Sequence, residues 1–233
     1  VTEVKVAYEG GKLFGEFTRL TQDFDTGNLV EVIPRFHDMA FRLGQFEASL
    51  KRASDERLLK AQPYIQIAND LKAEMHILQH LKDQGKIKIR VTHNDTKISN
   101  ALFDMEGKGL CVIDTDTIMP GVVHYDFGDA IRTICNTAAE DETDLDKVNF
   151  NLEYYDAYTK GFLDEVESAL SPIELKYLAL GAKTMIFIMA IRFLTDFLNN
   201  DVYYKTKYPE HNLDRAKNQF KLIESMSKKM NVL

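Results

Sequence analysis

The chain has 233 residues, of which 45% are hydrophobic and 28% charged, a balance typical of a globular protein with a buried core. Its formal net charge is −7, which argues against a nucleic-acid-binding surface, since such surfaces are basic, and gives no sign of attraction to anionic lipid. The two cysteines, Cys111 and Cys135, match no metal-ligand spacing. Cys111 lies in an apolar run, so we expect a buried thiol in a reducing cytoplasm.

Two further features bear on membranes. The first residues, VTEVKVAYEGG, lack a basic start followed by an apolar block, so we expect no signal peptide. The longest apolar run, MIFIMAI, lies between Lys183 and Arg192. It is far shorter than the roughly 20 residues that cross a bilayer, which favours a buried helix.

Helical periodicity dominates the first third of the chain. The pattern predicts a first helix whose apolar face includes Leu13, Phe14, Phe17 and Leu20 and which ends near Asp23. It also predicts an extended segment at 33–38 and helices at 41–53 and 63–85. In the last of these, Pro63 suits the first turn and Gly85 suits the stop.

The pattern then changes to short strands. IKIRV, ALF and LCVID are predicted strands, with DMEGKG as a turn between the second and the third. Helices return afterwards, and the pattern predicts them at 126–138, 148–170, 171–199 and 211–230. The fold class is therefore α+β and mostly α-helical, with a small central β-hairpin.

Polar side chains cluster around this β-rich centre, in the stretch VTHNDTKISNALF and at the end of LCVID. The cluster consists of His93, Asp95, Lys97, Asn100 and Asp114. A loop between two strands can turn several side chains into one cleft. The amide oxygen of Asn100 and the carboxylate of Asp114 are hard ligands that suit Mg²⁺.

The remaining members of the cluster suit phosphoryl transfer, which needs positioning, metal and charge more than covalent chemistry. Asp95 can accept a proton from an attacking hydroxyl, and Lys97 can neutralise charge on the phosphoryl group. His93 is better placed to brace the loop than to react. The DFG at Asp126 looks like a second metal motif, but it begins a predicted helix, so Asp126 is expected to be a structural N-cap.

The spacing H-x-D-x-K-x-x-N resembles the catalytic loop of the protein-kinase-like phosphotransferases. Together with GLCVIDTDTIMPG and HYDFGDAIRT, it resembles the aminoglycoside phosphotransferase and choline kinase superfamily, and most of all its N-acetylhexosamine 1-kinase branch. The likeness extends over nearly the whole chain. It implies a kinase that uses ATP and Mg²⁺ to phosphorylate the anomeric hydroxyl of an N-acetylhexosamine.

The resemblance also assigns residue roles. It implies Asp95 as the base and Asn100 and Asp114 as metal ligands. It implies a sugar-binding group made of Asp116, Thr117, Arg192, and Tyr203 or Tyr204, the register between the two tyrosines being open.

One departure from the family concerns the nucleotide. Family members carry an N-terminal lobe whose glycine-containing loop and strand lysine hold the ATP phosphates. This chain has no G-x-G-x-x-G, and its Gly10-Gly11-Lys12 falls inside a predicted helix. Residues 1–233 are therefore expected to correspond to the C-terminal lobe alone, with little or no kinase activity in isolation.

Three other functions stay open. The first is a phosphotransferase whose acceptor is choline, an aminoglycoside or another hydroxyl compound. The second is an accessory role in mucin glycan use, because some relatives are labelled as desulfatases; neither cysteine, however, stands in the C/S-x-P-x-R arrangement that a sulfatase requires. The third is a non-catalytic interaction protein. Arg192 mildly favours a neutral sugar over a cationic acceptor.

Overall fold

The computed structural model describes residues 3–230, which are mostly helical with two small antiparallel sheets. The helices are α1 (Val4–Leu20), α2 (Met39–Leu50), α3 (Asp55–Met75), α4 (Ile77–Asp83), α5 (Val123–Ile134), α6 (Leu152–Val166), α7 (Pro172–Lys176), α8 (Leu178–Leu198) and α9 (His211–Lys229). The strands are β1 (Arg90–Thr92), β2 (Ala101–Phe103), β3 (Gly109–Val112) and β4 (Met119–Gly121). The predicted mostly helical α+β class is confirmed.

The chain divides into two compact units. Within the described residues, the first unit consists of 3–34, 81–136 and 151–182, and the second of 35–80, 137–150 and 183–230. All four strands belong to the first unit. The interpretation of residues 1–233 as a C-terminal lobe stays a prediction.

Two glycines set the spacing between α1 and α6 in the first unit. A Cβ atom at Gly11 would collide with the carbonyl oxygen of Tyr158, and one at Gly161 would collide with the carbonyl oxygen of Tyr8. The two backbones therefore touch at positions where only glycine fits. This contact accounts for the glycines that the sequence places inside α1, as predicted, and not in a phosphate-binding loop.

The four strands form two pairs, β1 with β4 and β2 with β3. In the first pair Thr92 is opposite Met119, and in the second Ala101 is opposite Val112. Residues 93–100 lead from β1 to β2, and residues 113–118 lead from β3 back to β4. The two connecting segments thus join the same two sheets. Strands β2 and β3 pair as an antiparallel hairpin, and the H-x-D-x-K-x-x-N loop precedes it. That this hairpin carries a catalytic loop stays a prediction.

Several expectations about local structure were wrong. The segment 33–38, expected to be extended, forms a bend and a turn in which Arg35 has φ +58°. The single helices predicted at 63–85 and 171–199 are each divided into two.

Helix α3 begins at Asp55, because Ser54 caps it by accepting a hydrogen bond from the Arg57 amide at 3.4 Å and acidic residues fill its first turn. Pro63 therefore lies in the helix interior. Cys111, expected to be buried, is exposed, because one face of the β2–β3 hairpin is uncovered.

In the second unit, aromatic rings of three helices pack together. Phe220 of α9 stacks on Tyr64 of α3 at 6.1 Å between ring centroids and meets Phe187 of α8 edge-on at 6.4 Å. Helix α8 has 21 residues and is the one helix among residues 3–230 that is long and apolar enough to cross a membrane. Most of it is buried inside the protein, as in the core helix of many soluble proteins.

Candidate active site

The backbone of the 93–100 loop is held by two carboxylates of helix α5. Asp126 accepts the amide hydrogens of His93 at 2.7 Å and Asn94 at 2.8 Å. Asp129 accepts the amide hydrogen of Thr96 at 3.1 Å, and the Thr96 hydroxyl donates to the Asp126 carbonyl at 2.5 Å. Four hydrogen bonds, three from backbone amides and one from the Thr96 hydroxyl, therefore fix the loop to helix α5.

Asp126 is not the helix N-cap that the sequence suggested. Helix α5 begins at Val123, so Asp126 lies in its first turn and binds the loop instead of its own helix. Burial raises the pKa of Asp126 to about 6, although the amides of His93 and Asn94 oppose that shift. Its predicted structural role therefore takes a different form, the positioning of a neighbouring segment.

The imidazole of His93 joins the two connecting segments. Its Nε2 lies 2.9 Å from the Ile113 carbonyl oxygen, and its Nδ1 accepts the Asp95 amide hydrogen at 3.3 Å. These partners require a neutral ring with its proton on Nε2. The side chain has no solvent exposure and packs edge-on against Phe14 and Phe17. Its place in the fold suits bracing and gives it no contact with a substrate.

Asp95, Lys97 and Asn100 are in direct contact. The Lys97 ammonium lies 2.5 Å from Oδ2 of Asp95, and Nδ2 of Asn100 donates to the same oxygen at 2.9 Å and to the Asp95 carbonyl at 2.8 Å. Oδ2 of Asp95 is therefore occupied, whereas its Oδ1 and Oδ1 of Asn100 accept no hydrogen bond from the residues that the structure describes. The carboxylate is half-buried.

The residue before Asp114 is hydrogen-bonded to the backbone of Asn100. The Ile113 amide donates to the Asn100 carbonyl at 2.9 Å, which extends the β2–β3 pairing by one step and puts Asp114 next to it. Asp114 has φ +64° and ψ +62°, a left-handed conformation that is uncommon outside glycine and often found at functional sites. Its carboxylate is exposed and forms no ion pair within residues 3–230.

The donor set fits a magnesium ion better than a metal that needs a full protein cage. Across residues 3–230, no group of three or more His, Cys, Asp or Glu side chains could hold a metal. Oδ1 of Asn100 and the Asp114 carboxylate are hard oxygen donors that have no hydrogen-bond or ion-pair partner in the part of the chain that the structure describes. Mg²⁺ takes one or two protein oxygens and completes its octahedron with water and phosphate.

The predicted sugar-binding residues fall into two groups. In the first unit, Asp116 is exposed and has no hydrogen-bond partner among the described residues. The Thr117 hydroxyl donates to the His93 carbonyl at 2.7 Å, and Asn94 donates to the Thr117 carbonyl at 3.0 Å. Thr117 thus holds the loop, and its hydroxyl proton is already used.

In the second unit, Arg192, Tyr203 and Tyr204 line one cavity of about 600 Å³. The Arg192 guanidinium lies over the rings of Tyr204 at 5.5 Å and Tyr203 at 5.9 Å. Asp196 is buried and accepts the amide hydrogens of Tyr203 at 2.8 Å and Tyr204 at 2.9 Å. Both tyrosines therefore border the cavity, Tyr203 largely exposed and Tyr204 largely buried.

Four residues of these sites were missed from sequence. Asp129 carried a usable signal, since it lies three residues after Asp126 and therefore on the same helix face. Asn94, Arg42 and Asp196 carried none, because no motif or periodicity marks their contacts with the Thr117 carbonyl, the Phe36 carbonyl, and the amides of Tyr203 and Tyr204.

A mostly helical fold with a polar H-x-D-x-K-x-x-N loop beside a strand-ending aspartate defines a class, the phosphotransferases of the kinase-like type. Comparison with models of known protein families agrees, because residues 5–162 match the APH model, described as the phosphotransferase enzyme family. The chain belongs to this family. The match includes the whole 93–117 region and ends before Arg192, Tyr203 and Tyr204.

Proposed function

We propose that the protein is an ATP-dependent sugar kinase that transfers the γ-phosphoryl group to the anomeric hydroxyl of an N-acetylhexosamine. Membership of the phosphotransferase family supports the reaction class. The likeness of THNDTKISNALFD and GLCVIDTDTIMPG to the N-acetylhexosamine 1-kinase branch supports the acceptor. The enzyme would act in the cytoplasm, on small molecules alone, with neither nucleic acid nor a membrane as partner.

The contacts of Asp95 support its role as the base. Lys97 and Asn100 both donate to Oδ2, which leaves Oδ1 to accept the proton of the acceptor hydroxyl. The two donors fix the orientation of this carboxylate, as general-base catalysis requires. Lys97 also brings a positive charge within reach of a transferring phosphoryl group.

The metal role falls to Asn100 and Asp114, whose oxygens would hold Mg²⁺. The ion, when bound, supplies charge neutralisation to the phosphates of ATP. Because Nδ2 of Asn100 is bonded to Asp95, the same side chain would fix both the base and the metal ligand. The acceptor role falls to Asp116, Arg192, Tyr203 and Tyr204, and Thr117 would orient the loop that carries the base.

One observation carries this proposal: the Asn100 side chain donates to Asp95 while the Asn100 carbonyl pairs with the residue before Asp114. Three functional groups of different roles are thereby connected through one residue. A turn or cap built only for stability would not need the unengaged oxygens on Asn100 and Asp114.

The test uses the protein at its full encoded length with ATP and Mg²⁺. N-acetylglucosamine, N-acetylgalactosamine, choline and an aminoglycoside are offered in turn, and ADP release is measured. Asp95→Asn should lower turnover on the order of 10²-fold or more. Asp104→Asn is the matched control, because that aspartate serves only the β2–β3 turn. Undiminished turnover in Asp95→Asn would show that Asp95 is not the base. A preference for choline or the aminoglycoside would show that the acceptor is not an N-acetylhexosamine.

A further inference from the structure

Asn94 directly precedes the proposed base Asp95, and its backbone is in the left-handed conformation, with φ +64°. Asparagine is one of the few residues besides glycine that adopt this conformation readily. The Asn94 amide also donates to Asp126 at 2.8 Å, which fixes the backbone at this point. A glycine would meet both of these backbone requirements. The presence of an asparagine side chain therefore needs a separate explanation.

The Asn94 side chain forms a bridge from strand β1 to the segment 113–118. Its Nδ2 donates to the Thr92 carbonyl at 3.0 Å, to the Thr92 hydroxyl oxygen at 2.9 Å and to the Thr117 carbonyl at 3.0 Å. Because Nδ2 carries two hydrogens, the two Thr92 oxygens share one and the other reaches Thr117. Asn94 is buried, so these bonds are shielded from competition with water.

The segment 113–118 carries the proposed metal ligand Asp114, and its first residue is already attached to the 93–100 loop. The Ile113 amide donates to the Asn100 carbonyl at 2.9 Å. The His93 ring donates from Nε2 to the Ile113 carbonyl, also at 2.9 Å. These two bonds fix the end of the segment from which Asp114 follows.

The other end of the segment depends on Asn94. Residues Thr115–Thr117 form a short 3-10 turn directly after Asp114. At the end of this turn the Thr117 carbonyl accepts from Asn94, and the Thr117 hydroxyl donates to the His93 carbonyl at 2.7 Å. Without the Asn94 amide, among the described residues only the hydroxyl bond would hold the Thr117 end of the turn to the 93–100 loop.

We infer that Asn94 is a positioning residue, whose side-chain amide fixes the turn that begins at Asp114 relative to the neighbouring Asp95. This role rests on the proposed function, from which it takes Asp95 as the base and Asp114 as a metal ligand. Asn94 acts through the backbone of the two segments and not by contact with the substrate. Phosphoryl transfer depends on such positioning, because a displacement of about 1 Å can cost on the order of 10²-fold in rate.

A residue that only stabilises the fold would behave differently from a positioning residue. Its loss would lower the fraction of folded protein, but the folded molecules would keep their turnover and their Mg²⁺ requirement. Thr92→Val provides this comparison, because it removes the hydroxyl that accepts from Asn94 and donates to the Met119 carbonyl at 2.8 Å. The bond between Asn94 and Thr117 does not involve that hydroxyl.

The kinetic test is Asn94→Gly in the protein at its full encoded length, since glycine adopts the left-handed conformation without strain. ADP release is measured at varied Mg²⁺ with the acceptor that the wild type uses, and rates are expressed per folded molecule. The kcat should fall about tenfold or more, the Mg²⁺ concentration at half-maximal rate should rise about threefold or more, and the acceptor KM should stay within about twofold.

Two control variants should keep both the kcat and the Mg²⁺ requirement of the wild type. Thr92→Val lowers stability without breaking the bridge to Thr117. Asn200→Gly makes the same substitution at an exposed asparagine that is also left-handed, with φ +68°.

A second measurement does not need turnover. Hydrogen exchange followed by mass spectrometry reports the opening of the segment 113–118, in which the amides of Ile113 and Ile118 are hydrogen-bonded. Asn94→Gly should raise the exchange rate of this segment about tenfold, the effect of losing one buried hydrogen bond, whereas Asn200→Gly should leave it unchanged. If Asn94→Gly does not fold, the same measurements are made on Asn94→Asp, which replaces the donor by a carboxylate of equal size.

The outcomes separate this role of Asn94 from the proposed function. Normal kcat and Mg²⁺ requirement in the folded Asn94 variant, with an active wild type, overturn the role and leave the kinase proposal intact. Equal kinetic losses in Asn94→Gly and Thr92→Val also overturn it. If the wild type releases no ADP with any acceptor, the kinase proposal fails and hydrogen exchange decides: faster exchange at 113–118 supports the coupling of the two segments, and unchanged exchange overturns it.

Discussion

Two buried aspartates, one in each unit, hold a functional segment in the same way. Asp126 accepts the consecutive amides of His93 and Asn94, and Asp196 accepts the consecutive amides of Tyr203 and Tyr204. Both carboxylates are almost fully buried. The fold thus uses one device, a helix carboxylate bonded to two successive N–H groups, to position a loop in the first unit and a tyrosine pair in the second.

The two segments differ in what their side chains do. In the first unit, His93, Thr96 and Thr117 all have protein partners. Among the described residues of this loop region, one side-chain oxygen each of Asp95 and Asn100 and the exposed carboxylates of Asp114 and Asp116 stay unengaged. In the part of the second unit that the structure describes, the Arg42 and Arg192 guanidiniums have no ion pair, and the Thr195 and Tyr204 hydroxyls have no hydrogen-bond partner. A loop whose polar groups bond within the protein, as in the first unit, suits catalysis because it is rigid. Polar groups without protein partners, as in the second unit, suit ligand binding because a ligand can bond to them.

The largest expected effect comes from Asp126. Asp126→Ala would leave the amides of His93 and Asn94 buried without an acceptor, so we expect the unfolding free energy to fall on the order of 3 kcal/mol. Urea denaturation measures it. Asp70→Ala, which removes only a contact with Gln66 on the surface, should change it by less than about 0.5 kcal/mol. Equal stability of both variants would deny the bracing role.

The matching change in the second unit is Asp196→Ala. It removes the acceptor of two backbone amides and of Asn212, so the unfolding free energy should fall by about 2–3 kcal/mol. If the proposed function is correct, the variant should also bind the sugar acceptor more weakly at temperatures where it is folded, because Tyr203 and Tyr204 lose their anchor. Calorimetric binding curves with unaltered affinity would show that the tyrosine pair does not need Asp196.

Buried ionisable groups of helix α5 give a pH test. Burial lowers the pKa of His124 to about 4, so its folded form binds fewer protons than the unfolded chain, and the stability it contributes above pH 6.5 is lost as the pH falls towards 4. Asp126 has a raised pKa of about 6, so its contribution is present below pH 3.8 and is lost as the pH rises through 6. The two groups therefore change the unfolding free energy in opposite directions as the pH falls.

His124→Gln removes the contribution of His124 to the pH dependence of the unfolding free energy. Relative to the wild type, the variant should gain on the order of 2 kcal/mol of unfolding free energy on going from pH 6.5 to pH 4.5. Glutamine can still donate to the Glu174 carbonyl, which His124 reaches at 3.0 Å. Denaturation curves at several pH values measure this difference. A constant difference across the range would show that His124 does not titrate as its burial requires.

The smallest effect on stability is expected from Lys97. Its ammonium contacts Asp95, but both side chains are partly exposed, and such pairs contribute little to folding. Lys97→Met should leave the unfolding free energy within about 0.5 kcal/mol and lower phosphoryl transfer about tenfold. Turnover and denaturation measured on the same preparation check both. A large loss of stability with normal turnover would make Lys97 structural.

The sequence was most informative where the determinants are local. The loop, the β2–β3 hairpin and helix α9 follow from short-range spacing, turn residues and periodicity, and all appear close to their predicted bounds. The starts of α3 and α5 were misplaced by several residues, since capping by Ser54 and the burial of Val123 outweigh Pro63 and Asp126 as boundary signals.

The second site was predicted only in part, for a physical reason. Arg192 and the tyrosines came from a resemblance. Arg42 joins them through the Phe36 carbonyl and the fold of α2, which no spacing along the chain encodes. Sequence also could not show that Arg42 and Arg192 have no ion pair among the described residues, because every arginine in this chain has acidic residues nearby in sequence. Which of these pairs form depends on the three-dimensional fold.

The glycine contact between α1 and α6 has a consequence for how the protein can change. In a library of all single substitutions that is selected for folded protein, we expect no tolerated substitution at Gly11 or Gly161. The neighbouring positions Lys12 and Lys160 should tolerate most substitutions. Substitutions that change the acceptor preference must therefore lie outside the contact between α1 and α6, because this contact has no room for an additional methyl group.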